Sequence, residues 1–171
     1  MASGALTQLM NQTAWRDVEV LVVDMPPGTG DIQLTLAQQT PVSGAIVVTT
    51  PQDLALLDAR KGIEMFNQVH VPVLGVVENM ATHTCSNCGH QEAIFGTGGG
   101  ARIAEEYDVA VLARLPLSME FRARDDAPVL PVLTEPQGPV ADAFAAMAAV
   151  VIARLAGAPA QTGPIISVVD D

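Results

Sequence analysis

A chain of 171 residues, 49% hydrophobic and only 4% aromatic, is globular and long enough to bury a sizeable core in one domain. Its formal net charge of −11 and pI near 4.4 argue against nucleic acid and anionic membrane as partners. The N-terminus shows no basic region followed by an apolar one, and the most apolar stretch, 143–153, is shorter than the ~20 residues that span a bilayer; the expected compartment is the cytoplasm.

Helical spacing over 2–13 predicts a short leading helix. The β-branched run at 18–24 predicts a buried parallel strand ending in Asp24. Pro26 and Pro27 then stiffen the exit, while Gly28 and Gly30 permit positive φ and close backbone approach. A strand-end carboxylate in this setting suits the Mg²⁺ of a nucleotide; it equally suits a plain strand-to-helix turn with Asp31 as helix cap. Residues 31–39 read as a helix stopped by Thr40 and Pro41, and 44–50 as a second strand whose polar end is Thr49 and Thr50. Pro51 fits the first turn of the next helix, in which Leu54, Leu57, Ile63 and Phe66 keep helical spacing up to Val69. Residues 73–79 form a third strand, and 80–100 are the one long irregular stretch. A helix at 101–107, a strand at 109–115, a short helix at 118–125, a loop at 128–139 and an Ala-rich helix at 140–155 follow. Strands alternating with helices predict an α/β fold with a mostly parallel sheet and helices on both faces. Residues 1–156 are expected to form the domain and 157–171 a flexible tail.

The chemistry concentrates in 80–100. Cys85 and Cys88 frame a tight turn, and Gly89 lets backbone amides face sulfur. Two thiolates fill half of a tetrahedral metal site or half of a four-iron cluster. The residues leave three sources open: a second copy of the chain, His83 and His90 completing a mononuclear zinc site, or no metal and a redox pair. Redox pairs of the thioredoxin type open a helix, whereas these cysteines sit in a loop rich in Gly and Asn. Asn79, at the end of the third strand, can pair with a purine edge or simply cap a turn. The run 96–100, with four glycines, reads as a flexible hinge beside the metal loop, and His70 as a surface residue.

The ordered segments DMPPGTGDIQLTLAQ, GAIVVTTPQDLALLDARKGIEMF, VPVLGVVENM, CSNCGH and IFGTGGG resemble the Mrp/ApbC family. These are P-loop ATPases of the MinD and nitrogenase-iron-protein type that carry iron–sulfur clusters. The resemblance covers residues 2–130 and implies a P-loop NTPase-like, three-layer αβα fold. It implies a Walker B role toward Mg²⁺ for Asp24, and adenine recognition by Asn79. Pro26, Gly28 and Thr50 would line the same nucleotide site. It also implies that Cys85 and Cys88 of two subunits bridge one 4Fe-4S cluster in a homodimer that serves apo iron–sulfur proteins. One departure is large: no Walker A sequence G-x-x-x-x-G-K-S/T is present, and the only lysine, Lys61, falls in a predicted helix. The chain is therefore expected to be a C-terminal portion, truncated on its N-terminal side. It would be unable to hydrolyse ATP alone, ATP and Mg²⁺ belonging to a longer form. A nucleotide-independent, zinc-loaded dimer is the alternative. A MinD-like positioning ATPase fits less well, because 140–155 holds one Arg and no basic amphipathic face. A sheet lacking its first strands would also expose an edge, favouring self-association.

Overall fold

The computed structural model describes residues 2–25, 28, 30–85, 87–118 and 130–157. In chain order these form α1 (Ala2–Gln12), α2 (Asp31–Gln39), β1 (Ala45–Thr49), α3 (Asp53–Gln68), β2 (Val73–Glu78), β3 (His83–Thr84), β4 (Gln91–Glu92), α4 (Gly99–Glu106), β5 (Val111–Arg114), α5 (Pro131–Thr134) and α6 (Pro139–Gly157). Valine dominates the strands because its branched Cβ packs well on a pleated surface covered from both sides. β1, β2 and β5 pair in parallel, in that order, with Val48 opposite Val77 and Glu78 opposite both Thr49 and Arg114.

Each face of this sheet has its own core. On one side Val47 and Val76 pack with Leu56, Ala59 and Ile63 of α3 and Ile103 of α4. On the other, Val77, Leu112 and Leu115 receive Ala143, Phe144, Met147 and Val151 of α6. The α3–α4 layer is laced at its rim: Arg60 pairs with Glu106 at 2.9 Å, Arg102 with Asp53 at 3.0 Å, and the Tyr107 hydroxyl donates to Glu64 at 2.9 Å. Burial and the Glu64 carboxylate push the Tyr107 phenol above its ordinary value. These exposed pairs orient the two helices and add little stability. Gly75 is required in β2: its φ is +154°, and a Cβ there would lie 2.5 Å from the Ala110 carbonyl oxygen.

Several sequence expectations change. Residues 18–24 do not form a strand; the segment 14–25 is neither helix nor strand, and Val18, Val20, Leu21 and Val22 are exposed, Val22 by 84%. A β-branched run becomes a strand only beside another strand that completes its hydrogen bonds, and none of the described strands pairs with it. Among the described strands β1 lies at the sheet edge, with Ile46 and Val48 exposed on the side opposite α3. Pro51 lies ahead of the cap residue Gln52 rather than in the first turn of α3. The irregular stretch 80–100 contains the β3–β4 hairpin, and the loop at 128–139 contains α5. The Ala-rich helix runs longer than expected, 19 residues at mean hydropathy 1.8, which by length and composition alone is enough to cross a membrane. Most of the helix expected at 118–125, and the tail beyond Gly157, lie outside the described residues.

Candidate metal centre and strand-end crevice

The cysteine turn is the tip of the β3–β4 hairpin. His83 and Thr84 pair antiparallel with Glu92 and Gln91, and the Cys85 amide donates to the His90 carbonyl at 2.9 Å. The turn closes when the Gly89 amide donates to the Cys85 carbonyl at 2.9 Å, with Gly89 at φ +72°, a conformation that glycine adopts without strain. Cys85 is half-buried and Cys88 exposed, and both are free thiols. The backbone amides of Asn87 and Cys88, in that order, and then the Cys88 side chain, hydrogen-bond to the Cys85 sulfur; burial and the nearby Glu92 oppose them. The balance lowers the Cys85 thiol below its ordinary value, favouring the thiolate that a metal requires. A soft, half-complete donor set at a solvent-facing tip suits iron or zinc shared with something outside this chain.

The local zinc alternative is not assembled. Among the described residues no three His, Cys, Asp or Glu side chains gather into a metal-holding group. His83 turns toward its cross-strand neighbour instead: its buried Nδ1 lies 3.5 Å from Glu92 Oε1, close but without hydrogen-bond geometry.

The hairpin is fixed to the C-terminal edge of the sheet, where open α/β sheets bind ligands. The Asn79 amide donates to the Thr49 carbonyl at 2.7 Å, and the Ala81 amide to the Leu115 carbonyl at 2.9 Å. The Asn79 Oδ1 accepts the Met80 amide at 2.9 Å, so this side chain caps the turn. Thr50 contributes a buried hydroxyl with no hydrogen-bond partner, beside Thr49, whose hydroxyl donates to the Thr50 carbonyl at 3.2 Å. Gly28 is exposed at φ +103°. Asp24 is also exposed and makes no hydrogen bond or ion pair among the described residues. Pro26 lies outside the described residues. The structure thus sets Thr50 and Asn79 side by side at the strand ends and both cysteines at one tip. Lys61 sits in α3, paired with Asp58 at 3.1 Å, and His70 is exposed.

Glu78 was not legible as a site residue. It is 2% exposed at the end of β2, its carboxylate accepts the Gly100 amide at the start of α4, and Arg114 Nε lies 3.6 Å away. The glycines at 96–100 are accordingly not a hinge at their C-terminal end. Gly99 and Gly100 are buried; a Cβ on Gly99 would lie 2.8 Å from the Pro51 backbone, and one on Gly100 2.9 Å from Glu78 Cβ. The helix N-terminus does bind an anion, one supplied from inside the protein. Two adjacent glycines just ahead of the predicted helix were the available signal that something packs closely there.

A parallel sheet with helices on both faces places the chain among the three-layer αβα proteins. The chain belongs to the ParA family described as NUBPL iron-transfer P-loop NTPase, whose family model matches residues 1–152. It is 64% identical over 141 residues to the iron–sulfur cluster carrier protein of Pseudomonas fragi, an overlap covering 82% of this chain and 49% of that protein. Among solved structures, a nucleotide-binding protein of Archaeoglobus fulgidus, in complex with ADP and with cobalt found, matches with TM-score 0.61 and 37% identity. The match covers 68% of this chain and 48% of that one. The cell-division ATPase MinD of Pyrococcus furiosus matches with TM-score 0.62 over 88% of this chain and 56% of its own; at 18% identity it speaks for the fold alone. The chain spans about half or less of the length of the curated relatives it matches.

Proposed function

We propose that this chain is the cluster-holding portion of a cytoplasmic iron–sulfur cluster carrier. Two copies bring their Cys85 and Cys88 together around a two-fold axis and hold one 4Fe-4S cluster as cargo for apo iron–sulfur proteins, without nucleic acid or membrane as partners. The observation that carries this reading is the Cys85–Cys88 hairpin tip. It offers two thiolates and, among the described residues, no third ligand beside them, the donor count that a two-fold shared cluster needs from each side. Similarity to proteins named as iron–sulfur cluster carriers supports the cargo.

The crevice supports a nucleotide role in the longer proteins. Thr50 offers an unsatisfied buried hydroxyl and Asn79 an amide at the same strand ends, and a relative of known structure is an ADP complex. In this reading Asn79 meets the adenine, Gly28 and Pro26 approach the phosphates, and Asp24 orders Mg²⁺. With no Walker A sequence in this chain nothing cradles the β- and γ-phosphates, so ATP hydrolysis is not expected of it alone.

Delivery is tested by mixing the anaerobically reconstituted chain with an apo-ferredoxin in the presence of an iron chelator. The acceptor is expected to gain its cluster spectrum while the chelator stays iron-free. Iron appearing on the chelator before the acceptor changes would show release rather than transfer, and would overturn the carrier reading.

A further inference from the structure

We infer that Glu78 is the positioning residue that holds the thiolate hairpin in register with the strand-end crevice. The inference rests on the metal-carrying reading for its purpose and on geometry for its content. A carboxylate 2% exposed in a sheet whose other residues are mostly aliphatic is costly to keep unless it holds something in place. What it holds is the Gly100 amide, the first turn of α4 after the cysteine hairpin.

The other end of the hairpin is secured through the same residue's backbone. The Leu115 amide donates to the Glu78 carbonyl at 2.9 Å, and the Leu117 amide donates to the Thr82 carbonyl at 2.8 Å, bringing the chain to His83. The entry to the hairpin therefore hangs from the Glu78 main chain and the exit from its side chain. Asn79, the next residue, belongs to the crevice and bonds to Thr49. One residue is thus common to the crevice edge and to both ends of the metal loop. Gly100 fits this role because any side chain there would collide with Glu78.

The test compares amide hydrogen exchange by NMR in the wild-type chain with Glu78→Ala, Glu78→Gln and Glu78→Asp. Removing the acceptor is expected to speed exchange of Gly100 and of the hairpin amides Cys85 and Gly89 about tenfold or more, the worth of one buried hydrogen bond. Val47 and Val76 in the core should keep their wild-type rates. Glu78→Gln retains a carbonyl oxygen of the same reach and is expected to restore slow exchange at both places. Glu78→Asp, one methylene short, should behave like the alanine variant and serves in its place should that variant not fold. In a parallel cobalt(II) titration, the thiolate-to-metal absorption should require about tenfold more metal in the alanine or aspartate variant than in wild type. Unchanged hairpin amides beside a deprotected Gly100, or core and hairpin amides accelerating together, would overturn the inference. Failure of wild type to bind cobalt through its thiolates would instead count against the metal reading, and the amide comparison would still decide the role of Glu78.

Discussion

Serine at either Cys85 or Cys88 is expected to abolish retention of an iron–sulfur cluster by the reconstituted chain, and its broad visible absorbance with it. Each copy supplies two thiolates and, among the described residues, no further ligand in reach, so losing one removes half of what the chain contributes. Even outer partners of a metal site are worth roughly 10–100-fold in affinity, and a direct thiolate is worth more. The two positions are not equivalent. Cys85 is held by the Asn87 and Cys88 amides, and its serine variant leaves those donors facing a poor ligand; Cys88 is the exposed half of the pair. Fold stability should barely change in either variant, since the tip lies outside both cores. Iron and sulfide analysis after desalting, beside a urea unfolding curve, reads both effects.

Ile63→Ala is expected to cost about 2–5 kcal/mol, the range for truncating a buried aliphatic side chain that leaves a cavity. Ile63 is 0% exposed and sits where α3 meets β1, β2 and α4, among Val47, Leu56, Val76 and Ile103. Against a typical domain stability of ~5–15 kcal/mol, that loss moves the urea midpoint well down. Val48→Ala, on the open face of β1 at 61% exposure, is the control and should stay within about 0.5 kcal/mol. Equal losses at the two positions would mean that the open face of β1 is covered in solution.

What the sequence made readable follows from how local each signal is. α2 and α3 fall almost where helical spacing put them, because their boundaries are set by nearby residues: Pro41 past one helix, Pro51 ahead of the other. β1, β2 and β5 were legible as short apolar runs alternating with helices. The run at 18–24 carried the same signal and failed, since strand formation depends on a neighbour that no local pattern encodes. The cysteine tip was readable because its chemistry lies within Cys85 to Gly89. Glu78 was hidden because its partners, Gly100 and Arg114, lie 22 and 36 positions away, and a charge at a strand end looks like any solvated terminus. Asn79 was legible in both its guises; the structure shows the turn cap, and the base-reading role remains part of the proposal.

Native mass spectrometry of the chain after anaerobic reconstitution with iron and sulfide tests the shared-cluster account most directly. A species of two chains carrying one 4Fe-4S cluster is predicted, returning to bare single chains when Cys85 is replaced by serine. One chain carrying its own metal, with no doubled species at any loading, would contradict it.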